Sequence, residues 1–322
     1  NRLLEALAAL DTVLSQDGAN VQALRMAIES CIASDRLPQA EEKLKRIEEV
    51  AGTDPSQAAM VAALRGKLYA ARGQGDEAEA LLRKQFDENK DDLEALRNLA
   101  GALRSLKRLP EAEALYREYT ERHKDSAEAW VDLAQLCTQQ EDPNAVSRAS
   151  EALTRAMLID PNNVRAIRQM IQVQLRRGNL LEALNWCNRY LEREPDNPEV
   201  LYQKAILLRQ RGNLPEAVKS LDAAIAMVDQ AEYKALRGLV YVELKDYGKG
   251  LQDLQEVANG PQTSLAQVDL AMAEAYLATG RDELARQYFE SAQRKASGEN
   301  QTVDPQRLQA LGERIKALEG TT

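Results

Sequence analysis

Small and apolar side chains recur along this chain at the spacing of one helical face, and the pattern returns about every 34 residues. The phrase that begins at Arg177 is restated at Arg211, and Gly178 and Gly212 hold the same place in the two phrases. A larger, mostly apolar residue follows four positions after a small one, and another usually follows after seven, which is one face of a helix. We call the nine small residues the ladder residues: Ala6, Ala40, Ala78, Ala112, Ala149, Ala183, Ala217, Gly250 and Ala285.

A second stripe precedes most ladder residues and predicts another helix in each repeat, as Ala100 with Leu103 shows. The two helices are separated by turn sequences such as ARGQGD, RRGNL, RQRGNL and ATGRD. Glycine can supply the positive φ that ends a helix there. Pro38, Pro110 and Pro215 are predicted at the first position of the helix that follows, where proline is well tolerated.

The small ladder residues indicate how the two helices of a repeat pack. Two antiparallel helices joined by a short turn approach closely only where one of them presents almost no side chain. A single pair of helices leaves an apolar face uncovered, and it can cover that face only against the next pair. The pattern therefore predicts an all-α stack of helical hairpins.

The small residues, aromatic residues, turn glycines and terminal prolines in a frame of about 34 residues resemble the tetratricopeptide repeat. The resemblance covers nearly the whole chain and implies a right-handed all-α superhelix of about eight helix-turn-helix repeats that ends in a capping helix. The predicted repeats span residues 21–58, 59–92, 93–126, 127–163, 164–197, 198–230, 231–265 and 266–298.

The two ends of the sequence differ from the repeats. We expect residues 1–20 to form the second helix of a preceding, truncated repeat. We expect residues 299–322 to form a capping helix and tail, with Asp304 as its N-cap and Pro305 at its first position. A contact between two copies through this helix is an alternative to a monomer. The apolar stripe of this helix consists of Leu308, Leu311, Ile315 and Leu318.

Composition narrows the classes of function. The net charge of −9 argues against a general nucleic-acid binder, which would need clustered basic residues to neutralise phosphates. No apolar run is long enough to span a membrane. The first residues lack the order of a secretory signal, but because a targeting sequence can precede them, the sequence does not distinguish a cytoplasmic from a bacterial periplasmic location.

The residue types needed for catalysis are scarce. His123 is the only histidine, which excludes a histidine-based triad or zinc site within this chain. Cys31, Cys137 and Cys187 are far apart and take the places of apolar residues in other repeats, so we interpret them as small core fillers. No phosphate-binding loop or nucleophile elbow is present. We therefore expect no enzyme activity, no cofactor and no metal.

The resemblance implies that the first helix of each repeat lines a concave groove where peptides or extended segments bind. Arginines in this groove could hold acidic groups in pairs, or they could simply keep the inner surface hydrated. Trp186 lies elsewhere, either as an exposed anchor for a partner or partly buried against a neighbouring helix. The expected groove residues are Arg97, Asn98, Arg104, Gln135, Arg165, Arg168, Gln172, Arg176, Tyr202, Gln203 and Arg209.

Two specialised groups within this family do not match. Co-chaperone members grip a C-terminal carboxylate with a fixed set of lysine, asparagine and arginine residues. Arg97 and Arg165 fall on two basic places of that set, but Gly101, Asp132 and Gln169 replace other members, so the clamp is incomplete. The asparagine ladder of the sugar-transferase members is also interrupted.

The sequence therefore predicts a non-catalytic scaffold that binds a protein or peptide, including an acidic one, in its groove. One alternative is the repeat region of a bacterial envelope protein that assists polysaccharide or pilus assembly or export. Another is a regulatory array attached to a larger enzyme. The fold alone does not choose among them.

Overall fold

The computed structural model describes residues 2–52, 55–259, 265–297 and 303–319, and within these ranges the chain forms helices joined by short turns, with no β-strand. The helices, numbered in chain order, are α1 Arg2–Gln16, α2 Val21–Ala33, α3 Leu37–Ala51, α4 Pro55–Ala71, α5 Gly75–Glu88, α6 Leu93–Ser105, α7 Leu109–Arg122, α8 Ala127–Thr138, α9 Ala145–Ile159, α10 Val164–Arg176, α11 Leu180–Leu191, α12 Pro198–Gln210, α13 Leu214–Met227, α14 Ala231–Glu243, α15 Tyr247–Ala258, α16 Ala266–Ala278, α17 Asp282–Ala296 and α18 Pro305–Glu319.

The chain divides into two compact units, an N-terminal unit of residues 1–169 and a C-terminal unit of residues 170–322. The boundary falls inside α10, within the predicted repeat 164–197. The all-α prediction is confirmed for the described residues. The division into eight repeats stays a prediction, and α4 begins at Pro55, four residues before the predicted start at 59, because proline suits the first turn of a helix.

Consecutive helices form hairpins in both units. In the N-terminal unit, α2 packs against α3, α4 against α5, α6 against α7 and α8 against α9. The first helices of neighbouring hairpins also touch, since α2 contacts α4 and α4 contacts α6. We call the surface formed by α2, α4, α6 and α8 the first-helix face of the N-terminal unit. In the C-terminal unit, α12, α14 and α16 are first helices in the same sense.

Eight of the nine ladder residues are buried, as predicted, and the exception is Ala6. In α1 the buried residues are Leu7 and Leu14, whereas Ala6 and Val13 are exposed, so the stripe predicted for this helix is wrong. In seven hairpins the helix that carries the ladder residue packs on the first helix of its own hairpin: α2–α3, α4–α5, α6–α7, α8–α9, α12–α13, α14–α15 and α16–α17. Because α1 instead meets α2, the first helix of the following hairpin, a different side of α1 is buried.

Close approach of the two helices in a hairpin explains two glycines that lie inside first helices. A Cβ atom added at Gly66 in α4 would lie 2.6 Å from Cγ of Leu82 in α5. In the C-terminal unit, a Cβ at Gly238 would lie 2.7 Å from Cγ of Leu254. These distances are far below van der Waals contact, so any larger residue at these positions would displace the leucines.

Seven hairpin turns share one backbone arrangement, and the turn between α8 and α9, which has no residue with positive φ, is the exception. A residue with positive φ ends the first helix, and the next residue donates its N–H to a carbonyl five residues earlier, which is the Schellman motif. Gly178 has a φ of 72°, and the N–H of Asn179 lies 3.0 Å from the carbonyl oxygen of Gln174. The glycine turns predicted from the sequence are confirmed. The same positive φ occurs at three residues that are not glycine: Asp35, Lys107 and Lys245.

Short polar side chains begin many of the first helices. Asn20 accepts a hydrogen bond from the N–H of Ala23, and Asn197 accepts one from the N–H of Val200. These N-caps satisfy backbone donors that have no acceptor within the helix. The prolines predicted at the first position of second helices lie one residue later, as at Pro38 in α3, but still within the first turn.

Helix α18 covers the apolar end of the C-terminal unit. Its Leu311 and Ile315 are 3% and 5% exposed and pack with Leu270, Phe289 and Ala292. Leu308 is partly buried in the same cluster, whereas the side chain of Leu318 lies outside the described residues. Asp304 caps the helix as predicted, because its Oδ1 accepts a hydrogen bond from the N–H of Gln306.

Candidate functional site

A network of ion pairs links α6 and α8, on the first-helix face of the N-terminal unit, to the start of α10. Arg97 of α6 donates from Nε to Oδ2 of Asp132 at 2.6 Å and from Nη2 to Oε2 of Glu128 at 2.9 Å. Arg165 of α10 donates from Nη2 to Oδ1 of Asp132 at 2.7 Å and also contacts Glu128. Glu128 and Asp132 of α8 therefore each contact both arginines, one from α6 and one from α10.

Burial of Asp132 shields this ion-pair network from water. The Asp132 side chain is 8% exposed, and both of its oxygens accept from arginine. Burial disfavours the charged form of Arg97, but the hydrogen bond and the charge of Asp132 outweigh it and raise the pKa of Arg97. Burial and the nearby Asp132 carboxylate raise the pKa of the Tyr116 hydroxyl. Since Asp132 is buried and doubly paired, an acidic ligand would have to displace it to reach these arginines.

Two adjoining clefts open on the same face. The first has a volume of about 220 Å³, and its lining includes Arg97, Gly101, Arg104, Gln135 and Arg165. The second, of about 440 Å³, lies between α2, α4 and α6, and we call it the α2–α4–α6 cleft. Because both clefts are lined by Arg97, Gly101 and Arg104, they form a continuous row. The lining of the second cleft consists of Glu29, Ile32, Ala33, Gly66, Lys67, Ala70, Leu82, Arg97, Asn98, Gly101, Ala102 and Arg104.

Asn98 is a buried polar residue on this face whose side chain has an unsatisfied donor. It is 8% exposed, and its Nδ2 has no hydrogen-bond acceptor. It lines the α2–α4–α6 cleft and also a smaller cleft of about 210 Å³ beside it. A buried amide donor without an acceptor costs about 1–3 kcal/mol, so an acceptor that enters the cleft would be stabilised there.

The predicted residues of the C-terminal unit make separate, smaller contacts. Gln172 Nε2 lies 3.5 Å from Gln203 Oε1, and the rings of Tyr202 and Tyr233 lie 4.9 Å apart. Arg209 donates to Glu243 at 2.6 Å. Arg176 of this unit and Arg168, at the end of the N-terminal unit, are exposed.

The structure thus gathers Arg97, Asn98, Arg104, Gln135 and Arg165 around adjoining clefts, and their role in binding stays a prediction. Sequence reasoning missed that the groove arginines pair with acids of the same face. The signal was present, because the paired charges stand about one repeat apart. The separations in sequence are 35 residues for Arg97 with Asp132, 33 for Arg165 with Asp132, and 34 for Arg209 with Glu243.

The cysteines, Trp186 and His123 lie outside the candidate site. The three cysteines are free and buried, and burial raises the pKa of Cys137 to about 11 and that of Cys187 to about 12. Trp186 is half-buried, with the Arg189 guanidinium 5.0 Å from its ring centre. Nε2 of His123 lies 2.9 Å from Asp91 Oδ1.

Neither a metal-binding cluster nor a membrane-spanning helix occurs in the described part of the chain. It holds no group of three His, Cys, Asp or Glu side chains placed to bind a metal ion. None of its helices has the length and apolar character needed to cross a bilayer.

Comparison with known families agrees with the hairpins and their spacing. The tetratricopeptide repeat family matches residues 69–137, 142–200 and 175–240, which together make up more than half of the chain. The chain therefore belongs to the tetratricopeptide repeat family. Human tetratricopeptide repeat protein 13 is 36% identical over 74 residues, which is 23% of this chain and 9% of the human protein.

Solved structures show the same fold at low sequence identity. YrrB, described as a tetratricopeptide repeat protein with an unusual peptide-binding site, has a TM-score of 0.53 and 16% identity over 62% of this chain and 97% of its own. PilF of Pseudomonas aeruginosa has a TM-score of 0.53 and 18% identity over 70% and 98%. A repeat protein of Parabacteroides merdae has a TM-score of 0.51 and 17% identity over 81% and 99%. These likenesses show the fold alone.

Proposed function

We propose that this chain is a non-catalytic scaffold that binds an extended segment of a protein partner on the first-helix face of its N-terminal unit. The observation that carries the proposal is the row of adjoining clefts on that face, joined through Arg97, Gly101 and Arg104. Successive side chains of an extended ligand can enter successive clefts, whereas a compact ligand would fill only one. The peptide-binding site named in the description of YrrB supports a peptide as the class of ligand.

The charges of this face refine the expectation of an acidic partner. Arg97 and Arg165 are matched by Glu128 and Asp132, so acidity alone does not select the ligand. Shape and hydrogen bonding then contribute more to selection than overall charge. The whole predicted set stays a prediction, and the members that lie outside these clefts are Arg168, Gln172, Arg176, Tyr202, Gln203 and Arg209.

A steric block tests the site. Gly101 lines both clefts, and a Cβ added there would meet nothing within 4 Å, so Gly101→Trp places a large side chain in the row of clefts without a clash at its first atom. The immobilised full chain is used to capture proteins from a lysate of its source cells, and mass spectrometry identifies them. We expect Gly101→Trp to lose the captured partner.

The matched control adds the same side chain to the other face of a hairpin. Ser147 is exposed on α9, a second helix, and lines none of the three clefts. Ser147→Trp is expected to capture the same proteins as the parent chain. Undiminished capture by Gly101→Trp would reject the first-helix face as the binding site.

The envelope-assembly alternative stays a prediction. The likeness to PilF is at 18% identity and concerns the fold, so it does not favour that role for this chain.

A further inference from the structure

The charges that line the α2–α4–α6 cleft are paired with one exception. Lys67 Nζ lies 3.0 Å from Glu29 Oε1, and Arg97 is held by α8 as described above. Arg104, at the exposed C-terminal end of α6, has no ion-pair partner within the described residues. The lining therefore presents one unmatched positive charge at its rim.

The interior of the same cleft is apolar or small. It is formed by residues of α2, α4, α5 and α6 that have no polar side-chain atoms, whereas the polar side-chain atoms of the lining come from a few longer residues. The volume of about 440 Å³ lies within the usual range of small-ligand sites. An apolar side chain that enters would leave water and be stabilised by burial. The apolar and small lining residues are Ile32, Ala33, Gly66, Ala70, Leu82, Gly101 and Ala102.

Asn98 supplies the third element of recognition. Its Nδ2 is a buried donor without an acceptor, and the residue belongs to the lining of the cleft. A main-chain carbonyl beside an inserted side chain is an acceptor of the right kind for this donor. The hydrogen bond would also fix the register of the ligand, because Asn98 is a buried residue of the lining whereas Arg104 is exposed at the rim.

From these three features, and on the basis of the proposed function, we infer that the α2–α4–α6 cleft selects a segment in which an apolar residue is followed or preceded within about two positions by Asp or Glu. The apolar side chain fills the cleft, its main-chain carbonyl accepts from Asn98, and the acidic side chain pairs with Arg104. Arg104 is thus the residue that determines the charge preference.

The test uses a random peptide library displayed on phage and selected on the immobilised full chain. The parent chain is expected to enrich peptides with an apolar residue near an acidic one. Arg104→Glu reverses the unmatched charge, so it should replace the acidic preference with Lys or Arg while it keeps the apolar position. Arg104 is exposed, so this change leaves the core intact.

A second variant tests the amide. Asn98→Ala should weaken the Kd of a resynthesised enriched peptide by about tenfold, the loss expected for one hydrogen bond. Arg155→Glu, at an exposed position of α9 outside the cleft, makes the same charge change as Arg104→Glu and should leave the motif and the Kd unchanged. Circular dichroism of each variant confirms that helix content is retained.

The outcomes separate this inference from the proposed function. A motif that is the same for the parent chain and Arg104→Glu overturns the inference, as does a Kd that Asn98→Ala leaves unchanged. Absence of an enriched motif, together with a partner captured from lysate and lost in Gly101→Trp, overturns the inference and leaves the proposed function standing. Absence of both an enriched motif and a captured partner overturns the proposed function itself.

Discussion

Contacts of single atoms decide where the first helices of this fold require glycine. Gly66 and Gly101 are both glycines inside first helices of the N-terminal unit, in α4 and α6. A Cβ at Gly66 would lie 2.6 Å, 2.7 Å and 2.8 Å from three carbons of Leu82, whereas a Cβ at Gly101 would meet nothing within 4 Å. The same residue type therefore has a packing role at one position and none at the other.

Alanine substitution at these two positions should change stability in opposite directions. Alanine is favoured over glycine in a helix by about 1 kcal/mol, and this gain should appear undiminished in Gly101→Ala. In Gly66→Ala, displacing Leu82 costs about 1–3 kcal/mol and outweighs the gain. The midpoints of urea unfolding, followed by circular dichroism, measure both changes. Equal stabilisation by the two variants would show that the hairpin tolerates a wider separation of its helices.

The turns show how one backbone conformation serves different residue types at the level of the hairpin. Gly73, Gly178, Gly212 and Gly280 have φ between 72° and 77°. Lys107 follows α6 with a φ of 60°, and the N–H of the next residue makes the same five-residue hydrogen bond. For a residue with a Cβ atom this conformation costs about 1–2 kcal/mol. The packing of the two helices and the hydrogen bonds of the turn offset this unfavourable free energy.

Replacing lysine with glycine should therefore stabilise these hairpins. Lys107 and Lys245 are both exposed, and they lie in different units. We expect Lys107→Gly and Lys245→Gly each to add up to about 1 kcal/mol, since relief of the left-handed strain exceeds the entropy that glycine gains in the unfolded chain. Gly178→Ala, the reverse change at an equivalent turn, should lose a similar amount. Denaturant titrations test the set, and a loss of stability in both glycine variants would contradict this account.

The hairpin is also the level at which prediction from the sequence mainly failed. The hairpins could be predicted because the ladder residues and their followers repeat, and the turns could be predicted where glycine marks them. Lys107 and Lys245 gave no such signal, because nothing in a lysine indicates positive φ. Ala6 follows the ladder pattern but is exposed, since a pattern within one helix does not reveal which neighbour that helix meets.

For the candidate site, the resemblance predicted a groove position for Arg97 and Arg165, and both line the first of the two adjoining clefts. Their partners Glu128 and Asp132 follow about one repeat away from an arginine, yet only packing shows that these side chains meet. The unsatisfied amide of Asn98 could not be predicted at all, because hydrogen-bond satisfaction depends on every neighbouring residue.

Across the whole molecule, stability is distributed among contacts between neighbouring helices. In the described part of the chain, each helix contacts mainly the helices that are one or two places away from it in chain order. In such arrays, stability is approximately a sum of local terms, so damage at one place should remain local. Helix α18 contacts α16 and α17, and it is therefore a suitable place to test this property.

Removing the apolar contacts of α18 should loosen the end of the C-terminal unit first. Leu311→Ala together with Ile315→Ala deletes buried side chains that are expected to contribute about 2–5 kcal/mol each. Hydrogen exchange should become faster in α16 and α17 and stay unchanged in α2 to α4. Gln309→Ala, at an exposed position of the same helix, is the control. An equal loss of protection in both units would show cooperative unfolding of the whole chain instead.

The repeated hairpin contact also affects how such a gene can evolve. From Ala40 to Ala285, each hairpin in the described part of the chain offers its neighbours a similar buried surface built around a small residue. Duplication or loss of the DNA that encodes one hairpin would therefore join surfaces that already match, whereas the same event in a domain with one shared core would disrupt it. The chain can lengthen or shorten in steps of one hairpin, and each new copy is then free to acquire its own exposed residues.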